Sequence, residues 1–94
     1  MEVLWSASAE QDRTDIFDFI SQDNPRAAVR MDALFAAGTR RLAAHPLIGA
    51  PGIVAGTREL IVHESYRMVC ECTDEAVWTL ALVHTARRWP PQSR

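Results

Sequence analysis

Residues Gly56 to Pro90 read GTRELIVHESYRMVCECTDEAVWTLALVHTARRWP, three short apolar runs broken by two tight polar turns. Their lengths and bracketing turn residues predict strands over 57–62, 66–72 and 76–84, joined near His63–Ser65 and Thr73–Glu75. Connections this short leave no room for a crossover, so consecutive strands pair antiparallel as a β-meander. Strand alternation sets Arg58, Leu60 and Val62 against Thr57, Glu59 and Ile61 on opposite faces. In the second strand Tyr66, Met68, Cys70 and Cys72 oppose Arg67, Val69 and Glu71. In the third, Trp78, Leu80, Leu82 and His84 oppose Val77, Thr79, Ala81 and Val83. A meander of this kind needs an apolar layer over at least one face.

The preceding residues supply that layer. Val3–Leu4–Trp5 is an apolar run suited to a fourth strand. Ser8 followed by Gln11 has the spacing of a capping box, and Glu10 and Asp12 suit the positive end of a helix. Ala9, Ile16, Phe17 and Ile20 then share one face, which predicts an amphipathic helix over 9–22. Asn24–Pro25 restarts the helix, with Asn as N-cap and Pro at the first helical position. Ala28, Met31, Leu34, Phe35, Gly38 and Leu42 continue at steps of three and four to His45, where Pro46 ends the helix. Gly38 would let another backbone approach closely. The very short link between the helices predicts an antiparallel hairpin. Residues 46–56, PLIGAPGIVAG, read as a loop. The expected fold is α+β, one domain over 1–94: an N-terminal helix hairpin packed on one face of a small antiparallel sheet.

Composition narrows the function. With 94 residues, 48% apolar and 23% charged, the chain is of ordinary globular type. It has no apolar run of the ~18 residues needed to span a bilayer and no basic-then-apolar leader, so no membrane association and a cytoplasmic location are expected. Cys70 and Cys72 lie two residues apart on one strand face, a poor geometry for a disulfide and too few ligands for zinc. Two reduced thiols, no metal and no cofactor are expected. All ten cations are arginine. Residues 1–24 carry −5 and 57–75 carry −3, while 25–56 and 76–94 each carry +3. A net charge of −2 argues against whole-molecule attraction to a polyphosphate, though local anionic partners suit the two basic segments.

Several short motifs occur in a telling order. They are Asn24–Pro25–x–Ala27–Ala28, His45–Pro46, Pro51–Gly52, Gly56–Thr57–Arg58–Glu59–Leu60, Tyr66–Arg67–x–Val69, and Val83–His84–x–x–Arg87–x–Trp89–Pro90. Across nearly the whole chain this order resembles the RelE/ParE superfamily of bacterial type II toxin–antitoxin systems, the modules of plasmid stabilisation and addiction. The resemblance implies a growth-inhibiting toxin held in a hetero-oligomer by a cognate antitoxin, whose C-terminal segment wraps the toxin and adds helix or strand to it.

That fold hosts two mechanisms. Members like RelE cut messenger RNA on the ribosome, and members like ParE inhibit DNA gyrase. RNA cleavage by the 2′-hydroxyl needs a base, a proton donor and cations for the phosphorane. By the resemblance, Arg67 matches a phosphate-stabilising arginine and Arg58 one basic residue of the preceding strand, with His84 as acid or base. Leu60 occupies the second basic position, however, and the tyrosine beyond the last strand is absent, Tyr66 being the only one. The ParE-like reading is therefore preferred: action by binding gyrase, no catalytic residues, and a target-binding segment of Arg87, Arg88 and Trp89. Arg and Trp are the side chains that most often anchor interfaces. The alternatives are a ribosome-dependent endoribonuclease using Arg58, Arg67 and His84, and a non-toxic member that only binds its antitoxin.

Overall fold

The computed structural model describes residues 1–91. Two helices form, α1 over Ala7–Ser21 and α2 over Pro25–Ala44. Asn24 caps α2 as its sequence predicts: its side chain accepts from Ala27 N–H at 3.1 Å and Pro25 opens the helix. The N-cap of α1 is Ser6, not Ser8. Both serines have the right chemistry, and tertiary contacts decide between them. The Ser6 hydroxyl accepts from Ala9 N–H at 3.0 Å and donates to Leu80 O at 3.1 Å, while Ser6 N–H donates to Thr79 O at 3.0 Å.

Five strands make one sheet: β1 (Glu2–Trp5), β2 (Ala50–Pro51), β3 (Thr57–His63), β4 (Tyr66–Cys72) and β5 (Ala76–His84), in the order β1-β5-β4-β3-β2. The meander β3–β4–β5 is antiparallel as predicted. The sheet as a whole is mixed, because β1 lies parallel to β5 along Ala76–Thr79. Direction here follows from connectivity. Trp5 runs straight into the Ser6 cap, so α1 can begin over Leu80–Leu82 only if β1 ends beside Thr79. The 46–56 loop also contributes more than a connection, since Ala50 and Pro51 pair with Glu59 and Arg58.

Strict alternation fails in β5. Val69 pairs with Ala81 but Cys70 pairs with Thr79, which leaves Leu80 as the extra residue of a β-bulge. The bulge reverses the facing of everything before it. Val77 therefore joins Leu82 under the helices, and Trp78, paired with Glu71, turns to the opposite face.

The main core lies between helices and sheet. Phe35 and Leu42 of α2 meet Leu60, Met68, Cys70, Val77 and Leu82, with Trp5 and Ile16 at its margin. Gly38 is buried at the crossing of α2 over the sheet. A Cβ there would stand 2.6 Å from Met68 Sδ and 2.9 Å from Val62 Cγ1, so the close approach it permits is to this chain's own strands. The second face of the sheet carries a smaller cluster, Val69, Ala81 and Val83, against which Trp89 packs. No helix among the described residues is long and apolar enough to cross a membrane.

Candidate target-binding site

After β5 the chain turns back over the second face of the sheet. The turn is tied by backbone hydrogen bonds: Thr85 N–H donates to Ser65 O of the β3–β4 connection and Arg87 N–H to His84 O, both at 2.9 Å. The Thr85 hydroxyl donates to Glu64 O at 2.8 Å, and Ala86 N–H donates to His84 Nδ1 at 3.1 Å. Trp89 is half-buried on Val69, Ala81 and Val83, while Arg87 and Arg88 stay exposed. Neither guanidinium is in an ion pair among the described residues. The three residues of the expected target-binding segment are thus brought together, with Trp89 as anchor and two exposed cations beside it.

An open groove of about 590 Å³ runs along this segment, lined by Ser8, Asp12, His84, Arg87, Arg88 and Trp89. Its floor is the outer half of β5, which β1 leaves unpaired beyond Thr79. Side chains of α1 and its N-cap cover that edge instead. Asp12 Oδ2 accepts the Leu82 N–H at 3.0 Å and Ser6 Oγ engages Leu80 O. From sequence Asp12 reads only as a favourable charge at a helix start; its reach across 70 residues to β5 has no local signal.

Arg58, Arg67 and His84 do not converge. Arg58 lies on the helix-side face of β3 opposite Cys70, and its Nη1 donates to Gly49 O at 2.6 Å. His84 is paired with Tyr66, whose ring meets the imidazole edge-on at 5.4 Å. Two strand spacings and four residues along β4 separate the two, about 16 Å between backbones. Arg67 belongs to the other face altogether, with Glu59 and Val69. Its side chain is 11% exposed, and its Nε sits 2.8 Å from Glu59 Oε1 without aiming its proton along that line. Nη1 donates to Thr85 O at 3.2 Å and Nη2 to Arg87 O at 2.6 Å. Glu59, the acid beside it, is a diagonal neighbour on the adjacent strand. Among the described residues no three His, Cys, Asp or Glu side chains gather closely enough to hold a metal ion.

Comparison with known proteins agrees with this architecture. The sequence family described as the ParE toxin of type II toxin–antitoxin system, parDE, matches residues 3–89. The candidate toxin Y4kP of Sinorhizobium fredii is 28% identical over 88 residues, covering 94% of this chain and 92% of that protein. Among solved structures, a chain of the chromosomal ParDE toxin–antitoxin system from Pseudomonas aeruginosa superposes with a TM-score of 0.76 at 19% identity, over 89% of this chain and 95% of its own. A YoeB/ParE toxin from Agrobacterium tumefaciens superposes with a TM-score of 0.64 at 16% identity, over 89% and 98%. At those identities the structures speak for the fold, and the family match over 3–89 speaks for descent: the chain belongs to the ParE toxins of type II toxin–antitoxin systems.

Proposed function

We propose that this toxin acts in the cytoplasm by binding DNA gyrase through Arg87, Arg88 and Trp89, and that a cognate antitoxin neutralises it in a hetero-oligomer. The observation that carries the reading is the tied turn that presents two exposed guanidinium groups beside an anchored indole, at the rim of an open groove. Desolvated Arg and Trp dominate interface energetics, and a preformed turn lowers the ordering cost of binding. An enzymatic role finds less support. A phosphorane needs its cations and its proton donor around one phosphate, whereas Arg67 lies on the opposite face of the sheet from Arg58 and His84, whose backbones are about 16 Å apart. The helix hairpin suits the antitoxin: Phe17, Phe19, Val29 and Leu34 are exposed on it at different sides, apolar contacts for a segment that wraps the hairpin.

The test is a pulse-label experiment after inducing the chain alone, paired with gyrase supercoiling in vitro. DNA synthesis should fall before protein synthesis, and supercoiling should be inhibited. The joint Arg87→Ala, Arg88→Ala, Trp89→Ala variant should lose both effects while keeping its circular dichroism. Early arrest of translation with cut transcripts would instead identify the ribosome and its messenger RNA as the target. No growth effect at all would leave a chain that only binds its antitoxin.

A further inference from the structure

We infer that Arg67 is the positioning residue of the target-binding segment, a latch that holds residues 85–89 against the sheet in the conformation the target meets. The inference rests on the reading of Arg87–Trp89 as the binding segment and adds the residue that sets its geometry. Arg67 stands at the centre of the second face, where its guanidinium is almost fully covered. One edge lies against Glu59, and the two terminal nitrogens reach two carbonyls of the returning chain, Thr85 O and Arg87 O. Those carbonyls bracket the turn whose next two residues are Arg88 and Trp89. A planar guanidinium can rest its Nε edge against a carboxylate as an ion pair while its two terminal nitrogens donate to two carbonyls; an ammonium on a flexible stem cannot reproduce that fixed geometry. Glu59 fixes the fork from behind, so Glu59, Arg67 and the segment form one chain of contacts from β3 to the tail. With its donors turned to carbonyls of its own chain, Arg67 faces the protein and not a bound phosphate. Among the described residues the other hydrogen bonds of the turn run to Glu64 and Ser65, in the β3–β4 connection, and to His84, so Arg67 and the Trp89 ring are what hold it to the second face of the sheet.

The experiment compares Arg67→Lys, and the paired Glu59→Gln, Arg67→Gln variant that leaves no lone buried charge, with the parent protein. Two readouts are taken: amide hydrogen exchange at Thr85 and Arg87, with Met68 and Leu82 as core controls, and growth arrest with gyrase inhibition. The Thr85 and Arg87 N–H groups are held by Ser65 O and His84 O, and they should exchange about tenfold faster or more once the turn loses its charge-assisted tie to Arg67 and opens, while the core amides keep their rates. Toxicity should fall to the level of the Arg87→Ala, Arg88→Ala variant. Adding Arg67→Lys to that variant should cause no further loss, because both changes act through one segment. A merely structural role would instead move the core amides and add to the tail substitutions.

Unchanged exchange at Thr85 and Arg87 in the paired variant overturns the latch. Faster exchange with full toxicity, in a protein whose Arg87→Ala, Arg88→Ala variant is inactive, shows that the segment need not be held and overturns it too. Full toxicity of the tail variant itself would remove the binding-segment reading and the positioning role with it, whatever exchange shows. Lysine at 67 restoring toxicity and messenger RNA cleavage together would assign the charge to substrate and overturn the latch.

Discussion

Cys70 shows how one residue's surroundings set its chemistry. It is 3% exposed within the main core, and burial pushes its thiol up to about 11 from an ordinary 9.0, the Thr79 hydroxyl at 4.0 Å offsetting only part of this. A neutral buried thiol is a small hydrophobe and a poor nucleophile. Cys72, on the same face but half-buried, sits 3.9 Å from Met1 Sδ at the margin. A thiol reagent at pH 8 should therefore modify Cys72 in the folded protein and spare Cys70. The same shift makes a pH prediction. Between about 9 and 11 the unfolded chain loses the Cys70 proton while the folded chain keeps it, so stability falls as pH rises through that window. The loss should reach about 2–3 kcal/mol by pH 11 and be absent from Cys70→Ala. Urea melts at pH 8, 9.5 and 11 measure it, and equal slopes in the two proteins would show that Cys70 does not titrate in this way.

At the scale of elements, the outer half of β5 is an edge of the sheet that β1 leaves unpaired. An unpaired edge invites pairing with another chain, and here α1 and its N-cap cover it with Asp12 and Ser6. Asp12→Ala should leave the Leu82 N–H without its protein partner and cost about 1–3 kcal/mol; Asp12→Asn, which keeps an acceptor oxygen, should cost less than half as much. Equal losses in urea melts would mean that charge, not the hydrogen bond, is what Asp12 supplies. The Asn24–Pro25 start, the His45–Pro46 stop and the three meander strands were all legible in the sequence, because capping and turn chemistry act within a few residues. The features missed are all non-local. Ser6 is followed three residues later by Ala9, so the reciprocal capping pattern pointed to Ser8, and only contacts with Thr79 and Leu80 select Ser6. The parallel direction of β1 and the pairing of Ala50–Pro51 depend on neighbours far along the chain. The Leu80 bulge carries no glycine or proline to mark it, yet it decides which way Val77 and Trp78 face. Of the site, Arg87, Arg88 and Trp89 stood out by residue type, whereas the bonds of Arg67 to Thr85 and Arg87 span 18 and 20 residues and left no pattern to find.

Across the whole molecule the two faces of the sheet divide the labour. The helix side holds the main core, with Phe35 at 1% exposure meeting Tyr66 edge-on at 6.0 Å. The other side holds the smaller apolar cluster of Val69, Ala81 and Val83 beneath a half-buried Trp89. Truncating Phe35 to alanine opens a cavity that the surrounding helix and strands cannot close, at a cost of about 3–5 kcal/mol. That is a large share of the 5–15 kcal/mol typical of a whole domain. Truncating Trp89 removes apolar area that is already partly in water, and no enclosed cavity remains, so its cost should be about 1–2 kcal/mol. Urea melts of Phe35→Ala and Trp89→Ala, read beside their effects on growth, separate the two roles. Phe35→Ala should lose stability and activity together, whereas Trp89→Ala should lose activity with its cooperative transition nearly in place. A Trp89→Ala protein as destabilised as Phe35→Ala would make the C-terminal segment part of the folding core, and its loss of toxicity would then say nothing about contact with a target.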